Sequence, residues 1–223
     1  MLTFSNIIRI TSDYKHEKAT DSTNSTVLFD FWLQCSKRKS TNSRINSQRS
    51  GEPPGCIIMA PDGGVYNVGE IAGHTVKPSA LTVLPSITKN WSVICDAETY
   101  VSVTGSDNRA GSSTSGGRYG LGFVNGAGKI GDYGVYFSNA KVDGTAKYFR
   151  KQEEAAAAIL SLSIGPLNGL SWVHANATKA PGKVFSADIE VMPRLGSVAD
   201  MKGPITENVK IDGSMTLSII IGI

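Results

Sequence analysis

Residues 88–112 read TKNWSVICDAETYVSVTGSDNRAGS, and their alternation decides the fold class. Trp91, Val93 and Cys95 alternate with Ser92 and Ile94, and Tyr100, Val101 and Val103 carry the apolar rhythm past Asp96-Ala97-Glu98. Successive side chains of an extended strand leave opposite faces, so a spacing of two predicts half-buried strands. Gly105-Ser106-Asp107-Asn108-Arg109 follows, rich in residues that turn a chain or bond to their own backbone. It predicts the end of the second strand there.

Working outward, the same grammar recurs. Cys56-Ile57-Ile58-Met59 is a short strand stopped by Pro61-Asp62-Gly63-Gly64, and Val65-Tyr66-Asn67-Val68-Gly69 begins the next. Leu81-Thr82-Val83-Leu84 lies between Pro78 and Pro85, which restrict it to a short or edge strand. Beyond residue 112, Gly126-Ala127-Gly128-Lys129-Ile130-Gly131 matches the GxGxxG spacing of dinucleotide loops. Such a loop needs a helix after it, yet strand-like Tyr133-Gly134-Val135-Tyr136-Phe137 follows, which predicts a hairpin turn. Lys151-Gln152-Glu153-Glu154 and the four alanines after it have helix-forming composition over about two turns, too short to stand alone. A short helix or ordered loop near 151–158 is expected. Leu170-Ser171-Trp172-Val173 is a further strand. Two long alternating segments close the chain, at 184–191, ended by Pro193 and Gly196, and at 215–223. Many short strands, Gly/Pro/Asn/Asp punctuation and little helix predict an all-β sandwich.

Residues 1–54 differ in character. They are rich in Ser, Thr, Asn and charge, with apolar islands at 2–10 and 27–33 that read either as strands or as apolar stretches of a disordered arm. Between the second island and Glu52-Pro53-Pro54-Gly55 lies Cys35-Ser36-Lys37-Arg38-Lys39 and a polar tract with almost no apolar anchor, read as a linker. The division expected is an atypical, largely disordered arm at 1–54 and a folded domain at 55–223.

The charge balance, 22 basic against 19 acidic residues and a formal net charge of +3, predicts no nucleic-acid surface. No run reaches the ~18 apolar residues of a membrane-spanning helix, so no transmembrane segment is expected. Three cysteines, Cys35, Cys56 and Cys95, read as one bridge and one free thiol, and a bridge implies an oxidising compartment. The first residues, MLTFSNIIRITSDYKHEKA, show no secretory signal. Either the protein stays inside, or this N-terminus differs from that of the exported form through a truncated, rearranged or misassigned start.

The chemical inventory is thin. His16, His74 and His174 lie in dissimilar surroundings, with no HExxH or GxSxG element, so a hydrolase is the lowest-ranked reading. Asp107, Asn108 and Asp132 offer oxygen ligands for calcium but lack a calcium-loop spacing, and Asx-turn formation explains the first two more simply. Arg109 either pins this loop or is solvated. Trp91 and Trp172 either pack in the core or stack on a sugar. No catalytic residue, metal ligand or cofactor is assigned.

Cys56, Cys95, residues 103–112, the GLG run at 120–122, KIGDYGVYF at 129–137 and IDGSMTL at 211–217 together resemble a fimbrial-subunit-like family of Gram-negative bacteria associated with chaperone-usher pili. The likeness spans residues 55–223. It implies an Ig-like, pilin-like sandwich with a Cys56–Cys95 disulfide. It also implies a groove left by a missing strand and filled by a periplasmic chaperone, then by a neighbouring subunit delivered at an usher. The implied strand-pairing edge is Met215, Leu217, Ile219 and Ile221. The first 50 or so residues and the lack of an aromatic near the C-terminus depart from the family pattern. The resulting expectation is a non-enzymatic fimbrial-like structural or adhesion protein of the periplasm, cell surface or fimbrium. The alternative is a self-complete periplasmic module, for glycans among other ligands, in which an N-terminal island supplies the missing strand in cis.

Overall fold

The structure, a computed structural model, describes residues 3–16, 54–152 and 157–222. In chain order the strands are β1 (Thr3–His16), β2 (Cys56–Met59), β3 (Val65–Asn67), β4 (Ile71–Ala72), β5 (Thr82–Val83), β6 (Ile87–Asp107), β7 (Tyr119–Gly120), β8 (Phe123–Val124), β9 (Gly128–Lys129), β10 (Gly131–Val142), β11 (Thr145–Ala146), β12 (Tyr148–Lys151), β13 (Leu162–Ile164), β14 (Gly169–Val173), β15 (Gly182–Leu195), β16 (Val209–Ile211) and β17 (Ser214–Gly222). Two 3-10 turns, Pro61–Gly64 and Gly73–Thr75, are the helical segments among the described residues.

The stretch quoted first forms one strand rather than two. β6 runs 21 residues, and its halves serve different sheets. The first half lies between β15 and β2, pairing Ile87 with Val191 and Cys95 with Cys56. The second half lies between β14 and β17, pairing Val103 with both Leu170 and Ile219. Between the halves the ladder slips, with Gly182 opposite Thr99 but Val184 opposite Ile94, and Asp96, Ala97 and Glu98 stand exposed. Extra unpaired residues bend and twist a strand without ending it. The break in alternation at 96–98 is therefore a bulge that carries β6 from one sheet to the other.

The sheets close on an aromatic core. Phe137, Phe149, Trp172 and Phe185 meet edge to face in succession, with ring centroids 6.0, 5.4 and 6.0 Å apart. Such arrangements suit ring quadrupoles and add to the burial of apolar area. Both tryptophans with an alternative reading are core residues, Trp91 at 5% and Trp172 at 4% exposure. Their indole N–H groups are satisfied inside: Trp91 donates to Tyr66 Oη at 3.0 Å and Trp172 to the Ser186 carbonyl at 3.1 Å. Neither presents a face to a sugar.

One local expectation is corrected, and another meets a strand at its start. β15 runs through Pro193 to Leu195 instead of ending there. β6 pairs with β15 up to Val191 and β5 takes over at Arg194, while the Pro193 carbonyl accepts the Leu84 N–H at 3.0 Å. The missing proline donor therefore falls in the gap between two partners, where a strand tolerates it. The helical composition at 151–158 also begins in strand. Lys151 closes β12 opposite Leu170, and the Gln152 N–H bonds the Gly169 carbonyl at 3.0 Å. Residues 153–156 lie outside the described residues.

Residues 3–16 of the arm expected to be poorly ordered form β1. The second apolar island, the basic tract and Cys35 lie outside the described residues.

Candidate functional site

The residue pattern of β17 points to its edge. Met215, Leu217, Ile219 and Ile221 are buried and face the core, while Thr216, Ser218 and Ile220 are half-buried. Alternation thus fixes one row of side chains in the sandwich and leaves the backbone free to pair on both sides. On one side β6 runs antiparallel, from Met215 opposite Asp107 to Gly222 opposite Tyr100. On the other, β1 runs parallel, from Arg9 opposite Ser214 to His16 opposite Ile221. β1 continues in the same register along β16, Phe4 opposite Val209 to Asn6 opposite Ile211. Its first half is also flanked by β3 and β4, whereas residues 10–16 pair with β17 alone among the described residues. A strand added to an edge gains its affinity from main-chain bonds and its specificity from alternate side chains. That geometry is filled here by the chain's own N-terminal segment.

The cysteines lock β2 to the middle of β6, next to the 96–98 bulge. Cys56 and Cys95 are direct register partners on β2 and β6 and form a disulfide, with a Cα separation of 4.1 Å.

The polar loop after β6 is a structural clasp. Asp107 Oδ1 accepts the Arg109 N–H at 2.8 Å in an Asx turn and Oδ2 accepts the Gly120 N–H at 3.0 Å. Asn108 Nδ2 donates to Ser214 Oγ and Thr216 Oγ1, tying the loop to β17. Arg109 pairs with Asp212 through both its carboxylate and its carbonyl. Asp132, fully buried, takes a bidentate bond from Arg194 at 2.8 and 2.9 Å, a bond from Thr114 at 2.6 Å and a pair with Arg118. The three oxygen ligands considered for calcium thus point to different partners. Among the described residues no group of three His, Cys, Asp or Glu side chains has metal-site geometry. His74 sits in a 3-10 turn and His174 directly follows β14.

Burial alone would push the Asp132 carboxyl up, but the bonds from Arg194, Thr114 and Arg118 and the Arg118 charge outweigh it and hold it below the ordinary value. With the folded value lowered, the unfolded chain binds the extra proton first as pH falls, so this carboxylate stabilises the fold above about pH 4 and the contribution fades below it. We predict that urea midpoints decline as pH drops through this window, and that Asp132→Asn flattens the acid limb. Equal acid slopes for the two proteins would contradict the assignment.

The GxGxxG run is a hairpin. β8 and β9 pair around Asn125 and Gly126, with φ of 47° and 80°, the left-handed values that a tight turn requires. Gly128 is needed for close approach, since a Cβ there would lie 1.9 Å from the Met201 carbonyl oxygen. Backbone cannot swing aside as a side chain can. Gly128→Ala is therefore expected to cost about 1–3 kcal/mol in chemical denaturation, as overpacking does elsewhere.

Sequence reading missed the Asp132 cluster, because its partners Arg118 and Arg194 lie 14 and 62 residues away and share no local pattern. The alternative in which an N-terminal island supplies a strand in cis did not say which island, and β1 contains the first.

A family model described as a protein of unknown function, DUF1120, matches residues 50–120, the span from before β2 through β7 that contains the disulfide and all of β6. No curated protein and no solved structure matches the chain. Among the described residues no helix is long and apolar enough to cross a membrane.

Proposed function

We propose that this chain is a non-enzymatic, fimbrial-like structural or adhesion protein of the cell envelope whose sandwich is completed by strand addition at β17. The observation that carries the reading is the parallel β1–β17 ladder, in which an N-terminal segment occupies the edge of a strand whose side chains are already committed to the core. The Cys56–Cys95 bridge supports an oxidising location such as the periplasm or cell surface. A periplasmic chaperone, an usher or neighbouring subunits are the partners such an edge would meet.

The same ladder favours a second reading, a self-complete periplasmic binding module, because the added strand comes from the chain itself. A peptide of residues 3–16 tests strand addition directly. It is expected to bind a chain truncated before residue 17 and to suppress that chain's self-association. It should leave the full-length chain, whose edge is occupied, unaffected. A truncated chain that stays monomeric and ignores the peptide would defeat strand addition. Efficient uptake of the peptide by the full-length chain would favour exchange between subunits over the self-complete module.

A further inference from the structure

We propose that the open pocket beside the β8–β9 hairpin binds an acidic pyranose, of the uronic acid class. The pocket encloses about 380 Å³ and is lined by Arg109, Gly122, Phe123, Ile130, Lys210 and Asp212. That volume lies within the roughly 300–1,000 Å³ of small-molecule sites.

Phe123 is the first reason. It is 52% exposed, whereas Phe137, Phe149 and Phe185 are fully buried. The ring stands on a fixed base, because the hairpin is pinned from several sides: Asn125 Nδ2 donates to the Met201 carbonyl at 3.0 Å, and the Lys129 N–H donates to the Asp200 carbonyl at 2.9 Å. Buried Ile130 lines the pocket beside it. An exposed aromatic on a rigid base offers an apolar face at little entropic cost, and the C–H face of a pyranose is the complementary surface.

Charge is the second reason. Lys210, exposed on β16, and Arg109 set two cations against the single carboxylate of Asp212, so the pocket carries a net positive charge. Arg109 is held in place by its Nε bond to the Asp212 carbonyl at 3.0 Å and its pairing with the Asp212 carboxylate. The Asp212 side chain remains 45% exposed and so can accept ring hydroxyls. Lys210 supplies donors for a sugar carboxylate, where charge-assisted bonds are strongest. An apolar platform, cations and a hydroxyl acceptor in one pocket match a ring that bears both hydroxyls and a carboxylate. No pocket residue lies on β1 or β17, and Lys210 is reached from β1 only through the β1–β16 ladder, where it stands opposite Ser5.

Titration of the full-length protein with sodium glucuronate, glucose and sodium acetate at constant ionic strength, followed by amide chemical shifts, tests the site. Saturable shifts at Gly122, Phe123 and Lys210 are expected with glucuronate, with glucose and acetate at least about tenfold weaker. Phe123→Ala and Lys210→Ala are each expected to weaken glucuronate about tenfold, and both should melt like the parent because the side chains are exposed. Three results would overturn the proposal: no saturation with glucuronate, acetate matching glucuronate, or binding that survives both substitutions in folded variants.

Discussion

A chain lacking residues 1–16 is expected to melt about 10 °C or more below the full-length protein and to self-associate. Eight residues of β17, from Ser214 to Ile221, lose their parallel partner in this truncation, and β16, β3 and β4 lose theirs. At roughly 0.5–1.5 kcal/mol net for each backbone bond, the β17 ladder alone is worth about 4 kcal/mol or more. A domain of this size shifts by about 2–4 °C in Tm for each kcal/mol. The second consequence is kinetic and colloidal. The bared β17 edge is long, regular and backed by Leu217, Ile219 and Ile221, the type of edge that recruits another chain. Circular dichroism melts with size-exclusion chromatography would read both effects. An unchanged Tm in a monomeric truncation would show that β1 contributes nothing to the sheet.

Loss of the disulfide is expected to produce the other large effect. The bridge closes a loop with a sequence separation of 39, which corresponds to about 4 kcal/mol in the chain-entropy account. Its position magnifies the local consequence. β2 is a four-residue edge strand whose Ile57 and Met59 are 62% and 56% exposed, so little burial holds it to β6. Replacing both Cys56 and Cys95 by Ala, in a chain also carrying Cys35→Ser, should lower Tm by about 8–16 °C relative to Cys35→Ser alone. Amide exchange should accelerate first at Ile57, Ile58 and Met59. Uniform acceleration across β6, β15 and β17 would instead mean that the bridge acts on global stability alone.

Both effects arise from contacts between distant parts of the chain, and that marks the limit of what was legible in the sequence. Period-two alternation is a property of neighbours, so β2, β10, β14, β15 and β17 were readable as strands, and the left-handed Asn125-Gly126 turn was readable as a hairpin. The break in alternation at 96–98 was visible too, but composition does not distinguish a bulge from a turn. What decides is the slip against β15, which lies about 90 residues away. Pro193 misled for a related reason, since its effect depends on which partner faces the missing donor. At Lys151, pairing with Leu170 on β14 overrode helix propensity too short to sustain itself.

The functional features divide in the same way. The four buried residues of β17 follow from alternation, yet the strand beside them comes from the other end of the chain. The loop at 107–112 announced turn chemistry, and Asp107 and Asn108 do form turn and clasp bonds. Its extension through Asp132, Arg118 and Arg194 needed β10, β15 and the loop before β7 to converge. Phe123 carried no signal at all, because exposure of an aromatic is set by what fails to cover it.

The central claim is that β1 completes β17 in parallel within one molecule. Interstrand amide nuclear Overhauser contacts, collected on a dilute monomeric sample, test it most directly. The structure predicts contacts in ascending order, from Arg9 with Ser214 through Thr11 with Thr216 to His16 with Ile221. A descending order, or contacts found only between differently labelled chains, would contradict it.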